Sequence, residues 1–176
     1  MKKHFFVALT LIFVLVSCSS DDDTTEAENF EFAMTAKIND NTFEANNPFG
    51  TNEFSSTNVY DYYPIEDFVL LQGRQGGVLG TPEINIWLKR DDIVVGTYQI
   101  GEETFGTPPS HFIDLIDSSN TISENTKQGT ITITEVDTSS KIVTGSFEFT
   151  AVDELDNSSD AVDFTITEGV FRYQYE

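Results

Sequence analysis

The residues able to do chemistry in this chain are few: one cysteine, two histidines and a large excess of acids, 30 Asp and Glu in 176 residues. The lone thiol, Cys18, sits between an apolar run and a polar stretch that opens Ser19-Ser20-Asp21-Asp22-Asp23. That setting does not build a catalytic pocket, in which a thiolate needs a base beside it. His4 belongs to the basic start, which leaves His111, behind Pro108-Pro109-Ser110, reading as a loop residue. No Gly-x-Ser-x-Gly elbow accompanies it, and a zinc site of the Cys/His type lacks its ligands. Gly73, Gly76, Gly77 and Gly80 have neither the Lys-Ser/Thr nor the helix of a phosphate loop and read as a mobile turn between strands. A carboxylate pair can hydrolyse a glycoside, but among so many acids a suitable pair arises by chance. No catalytic residue is assigned.

Weaker binding candidates remain. Asp153, Asp156 and Asp160 crowd the loop Asp153 to Asp160 and offer oxygen ligands. An EF-hand counted from Asp156 meets Ala161 and Thr167 where Gly and Glu are required. The loop therefore reads as a solvated acidic turn, with no metal or cofactor expected. Tyr60, Tyr62 and Tyr63 lie in a polar, turn-rich segment from Asn46 to Asp67. They either stack on sugar rings or pack back on the domain. Trp87 faces away from the stripe Ile84, Ile86 and Leu88. It is a ligand platform if its sheet is covered on one side only, and a covered residue at a sandwich edge.

The setting of Cys18 has its own logic. Lys2 and Lys3 precede an apolar run from Phe5 to Val16, about 12 residues. A membrane-spanning helix needs ~20, whereas a signal-peptide core needs ~7–15 behind a positive start. Residues 1–17 are thus expected to be a removed signal peptide. Leu15-Val16-Ser17-Cys18 resembles the lipobox of bacterial lipoproteins, which implies a diacylglyceryl thioether on Cys18 and an acylated new amino terminus. Two or three acyl chains exceed what stable anchoring needs.

Residues 18–29 read as the lipidated cysteine and a flexible tether, too polar to offset its own ordering entropy. Its relaxed reach is ~20 Å. Ser19, Ser20, Asp21, Asp22 and Asp23 resemble the acidic export signal of surface-exposed lipoproteins in the Bacteroidota, which implies an outer-membrane protein facing the exterior. Removing Lys2 and Lys3 takes the net charge from −21 to −23. That excludes nucleic acid, which needs clustered Lys and Arg, and disfavours docking on anionic headgroups.

The elements that would carry any site form one domain over residues 30–176, a modal domain length. The 15 Phe and 6 Tyr, with abundant Thr, Ile and Val cut by Gly, Asn and Asp, predict an all-β chain. Expected strands are Met34 to Ile38 and Thr42 to Ala45 around Asn39-Asp40-Asn41, then Phe68 to Gln72, Glu83 to Lys89 and Ile93 to Ile100. A segment with Phe112, Ile113, Leu115 and Ile116 is either one helical turn capped by Ser110 or an edge strand. Thr130 to Val136 and Ile142 to Val152 flank the turn Asp137-Thr138-Ser139-Ser140. The last strand, Val162 to Tyr175, is inward at Phe164 and Ile166 but at Phe171, Tyr173 and Tyr175 thereafter. A bulge at Gly169 accounts for that change of phase. About nine strands give a single antiparallel β-sandwich or barrel.

Gly129-Thr130-Ile131-Thr132-Ile133-Thr134-Glu135-Val136-Asp137, Gly145-Ser146-Phe147-Glu148-Phe149-Thr150-Ala151 and Thr167-Glu168-Gly169-Val170-Phe171 together resemble a family of Bacteroidota lipoproteins known as a domain of unknown function. These are hairpin and strand residues, and the resemblance carries no active site with it. The expected function is a non-enzymatic binding or accessory module held on the membrane by its lipid, with a glycan or an envelope protein as ligand. The rivals are a small carboxylate-dependent hydrolase and a purely structural envelope component.

Overall fold

The computed structural model describes residues 33–46, 49–50, 67–76, 80–102, 110–117, 123–155 and 161–175. Ten strands follow in chain order: β1 (Met34–Ile38), β2 (Asn41–Ala45), β3 (Phe49–Gly50), β4 (Phe68–Arg74), β5 (Glu83–Lys89), β6 (Gly96–Gly101), β7 (His111–Ile116), β8 (Asn125–Asp137), β9 (Ile142–Val152) and β10 (Phe164–Tyr175). One 3-10 turn, Arg90–Asp92, follows β5. Nine of the strands have five residues or more, as the sequence predicts. They form two sheets that do not close into a barrel: β2-β1-β10-β9-β8-β6, with the short β3 beside β10, and β4-β5-β7. All pairings are antiparallel except β3 with β10. The fold is a sandwich.

Local chemistry sets the corners. Asn39 and Asp40 take left-handed φ of 47° and 64°, the conformation a two-residue hairpin turn demands and Asn and Asp tolerate. The Asn39 side chain also donates to Asp163 O at 2.8 Å and accepts from Thr165 N at 2.8 Å, which ties this turn to the start of β10. The β8–β9 turn is organised by Asp137. Its Oδ1 accepts from Ser139 N and Ser140 N, and the two serine hydroxyls donate to the same carboxylate. Those donors hold its carboxyl well below the usual carboxylate range.

The change of phase in β10 is a bulge. Ile166 pairs with Phe149 and Gly169 with Phe147, so three steps on β10 oppose two on β9. Glu168, in the extra stretch, has φ 53°. Ile166, Phe171 and Tyr173 all turn inward in consequence.

The core lies between the sheets. Met34, Phe43, Leu71, Ile86, Ile131 and Phe171 are fully buried there. Tyr173 Oη crosses from the large sheet to donate to Gln72 O at 2.8 Å, and burial pushes its phenol pKa up. At Gly73 an added Cβ would meet Met34 Sδ at 2.7 Å, so this glycine lets the sheets close together. The segment left between helix and strand in the sequence is β7, the edge strand of the small sheet. The predicted strand Ile93 to Ile100 is shorter than expected. It starts at Gly96, because Ile93 to Val95 turn the chain from one sheet into the other.

Candidate functional site

The small sheet is unusual in being buried on both faces. Its inward face carries Leu71, Ile84, Ile86, Leu88, Ile113 and Leu115. Strand alternation sends Leu70, Gln72 and Arg74 of β4, Glu83, Asn85 and Trp87 of β5, and Phe112 and Asp114 of β7 to the other face. The register aligns them in three cross-strand rows: Leu70–Trp87–Phe112, Gln72–Asn85–Asp114 and Arg74–Glu83. Gln72, Glu83, Asn85 and Asp114 are nevertheless all buried. Burying four such groups is unfavourable unless each finds hydrogen-bond partners.

They find them in one another. Arg74 Nε donates to Glu83 Oε2 at 2.5 Å and Gln72 Nε2 to Glu83 Oε1 at 2.8 Å. Gln72 Nε2 also reaches Asn85 Oδ1 at 3.3 Å. Asn85 Nδ2 donates to Asp114 Oδ1 at 3.0 Å, and Trp87 Nε1 to Asp114 Oδ2 at 3.0 Å. The result is a ladder running from the Arg74 guanidinium, whose side chain is 23% exposed, across three strands to the Trp87 indole. Every carboxylate oxygen of Glu83 and Asp114 accepts a hydrogen bond. Both carboxylates orient their neighbours through these bonds. The indole and the phenyl are buried with the amides and carboxylates, and the Arg74 guanidinium is the part of the ladder that reaches solvent.

The sequence candidates fare unevenly. Trp87 does face away from the Ile84/Ile86/Leu88 stripe, but it is 3% exposed and bound to Asp114, so it is a covered residue and not an open platform. Asp153 uses Oδ1 to accept from Leu155 N at 2.8 Å, and its own N–H donates to Asp163 Oδ2 at 3.0 Å. It serves as a turn former here. Among the described residues no group of three or more His, Cys, Asp or Glu is placed to hold a metal ion. Cys18, Ser19, Ser20, Asp21, Asp22, Asp23, Tyr60, Tyr62, Tyr63, Asp156 and Asp160 lie outside the described residues.

His111 corrects its reading as a loop residue. It opens β7 and is 1% exposed, because its strand position faces inward beside Leu88. Its Nδ1 accepts from Lys89 N at 3.2 Å, its ring meets Tyr98 edge-on at 4.2 Å, and Nε2 has no partner among the described residues. Burial lowers its pKa, against a smaller opposing pull from Asp92. Gln72, Arg74, Glu83, Asn85 and Asp114 escape sequence inspection as a group. Their one visible signal is a carboxylate in the middle of the apolar run Phe112-Ile113-Asp114-Leu115-Ile116.

The chain belongs to the family described as a domain of unknown function, DUF6252, whose family model matches residues 54–173. The match takes in β4 to β9, most of β10 and the whole of the ladder. No curated protein and no solved structure matches the chain.

Proposed function

We propose that the protein is a lipid-anchored, surface-facing lipoprotein of the outer membrane whose sandwich acts as a non-enzymatic binding module for a glycan. The observation that carries the binding role is the Arg74–Glu83–Gln72–Asn85–Asp114–Trp87 ladder. Six side chains are locked in one geometry on the face of the small sheet turned away from the core, and Arg74 marks the end open to solvent. The buried part of the ladder supports this reading by fixing the partly exposed Arg74 guanidinium, the group a sugar hydroxyl can reach, with little further ordering.

A structural envelope component is the second reading, favoured by the same internal satisfaction of the ladder. The test is a glycan array probed with the mature lipoprotein in detergent, together with Arg74→Ala and Glu83→Gln. The binding module predicts a signal in the parent that falls at least tenfold in Arg74→Ala without a turnover product. No signal on any glycan favours the structural component. Hydrolysis abolished by Glu83→Gln would establish the enzyme instead.

A further inference from the structure

The two sheets end in four strands, β2 and β6 in the large sheet and β4 and β7 in the small one. Three of these ends have backbone acceptors engaged from elsewhere in the chain. At β7, Leu115 O accepts from Glu124 N at 2.8 Å and Ile113 O from Thr126 Oγ1 at 2.7 Å. At β4, Gln72 O accepts from Tyr173 Oη at 2.8 Å. At β2, Thr42 O accepts from Gln75 Nε2 at 3.4 Å, and Glu44 adds an exposed charge. β6 differs. Among the described residues it pairs with β8 alone, and no other described group bonds to its backbone. Every second residue of an end strand points its N–H and C=O away from the sheet, so β6 holds out a row of donors and acceptors.

Sheets blunt such edges with charges, prolines, bulges or a covering element. Gly96-Thr97-Tyr98-Gln99-Ile100-Gly101 has no charge and no proline, and its register with β8 runs from Ile133 to Gln128 without a shift. An added Cβ at Gly101 would meet nothing within 4 Å, so that end of the strand is open. The two faces of β6 differ. Thr97 and Gln99 are exposed beside Thr132 and Thr130, whereas Tyr98 is half-buried and Ile100 buried on the inner face. A strand laid along this edge continues both faces. Its residues beside Tyr98 and Ile100 must then be apolar, and those beside Thr97 and Gln99 polar.

Charge decides what kind of strand that is. Close to β6, the acids Asp91, Asp92, Glu102 and Glu135 are nearly matched by Lys89, Arg90 and Lys127. The selecting charge is therefore that of the whole molecule, 30 acids against 9 Lys and Arg. It repels a second copy and draws a basic chain. We infer that β6 is a strand-addition edge whose occupant is an extended segment of a basic partner protein. The segment matches the six residues of β6, apolar at alternate positions and carrying Thr, Lys or Arg at the others. Main-chain hydrogen bonds supply the affinity, and the alternation sets the register. The edge is independent of the anchor proposed at Cys18 and of the ladder, which belongs to the other sheet.

The test titrates the full mature protein, in nonionic detergent, with labelled decapeptides. The first alternates Val with Lys or Thr, and the second has Glu in place of Lys. The third copies the first with every backbone nitrogen methylated, so it keeps charge and side chains but has no N–H to donate. The expected result is saturable binding of the first, about tenfold weaker binding of the second and none of the third, with slowed amide exchange confined to β6. Gln99→Lys, a surface change that keeps the pairing with β8, should weaken the first peptide severalfold. Absence of saturable binding by the first peptide overturns the inference. Equal binding of the methylated peptide does so too, because charge alone then accounts for it. A parent that sediments as a dimer, weakened in Gln99→Lys, gives the edge to a second copy. Slow exchange of every β6 amide in the free monomer gives it to this chain's own residues. Either result overturns the inference.

Discussion

Asn85 is the residue on which the ladder depends, since it accepts from Gln72 and donates to Asp114 at the centre of the buried row. Replacing it with Ala removes one donor from Asp114 Oδ1 and one acceptor from Gln72 Nε2 in a buried row. The expected loss is about 2–3 kcal/mol in chemical denaturation, more than a single neutral hydrogen bond contributes. Tyr173→Phe should lose only about 1 kcal/mol, because it removes one donor to Gln72 O and keeps the ring in place. His111 gives a pH signature. Its folded pKa lies below the ordinary histidine value, so the unfolded chain binds its proton first as pH falls. Its contribution to stability is complete above pH ~6.5 and is lost as pH drops from there through the folded pKa. Urea titrations of the parent and His111→Phe should diverge in slope with pH below that value, and parallel curves would contradict the assignment. Trp87 and its facing direction were legible in the sequence. Its partner was not, because Trp87 and Asp114 are 27 residues apart and meet only through the pairing of β5 with β7 around β6.

At the scale of elements, two corners carry the strain and the order. Glu168 holds a left-handed φ of 53° in the β10 bulge, where an L side chain is disfavoured by ~1–2 kcal/mol. The Lys37–Glu168 pair is exposed and offsets little of this. Glu168→Gly is therefore expected to raise thermal stability, and a clear fall in Tm would contradict the bulge geometry. Asp137→Ala should lower Tm at neutral pH by removing an acceptor shared by two backbone and two hydroxyl donors. The bulge was readable because a two-residue period that changes parity allows no other continuous strand. The starts of β6 and β8 were not. The β-branched and aromatic run Ile93 to Ile100 resembles a strand until packing pulls Ile93 under the turn, and Asn125 to Gly129 lacks the apolar stripe that marked the rest of β8. Thr126 is instead held by its hydroxyl, which donates to Ile113 O at 2.7 Å.

At the scale of the whole molecule, a greasy basic leader, one thiol, an acidic tether and a two-sheet domain give a division of labour. In the proposed function attachment belongs to Cys18, and recognition to the ladder side of the small sheet, in the middle of the chain. Replacing Asp21, Asp22 and Asp23 with Ala should leave the protein membrane-bound but protect it from protease added to whole cells, if those residues direct it to the exterior. The proposed anchor is the premise on which the surface address rests. Its most direct test is mass spectrometry of the amino-terminal peptide of membrane-purified protein. The account predicts a peptide that begins at Cys18 and carries a diacylglyceryl thioether and an amide-linked acyl chain. A peptide that begins upstream of Cys18, or a free Cys18 thiol, would contradict it.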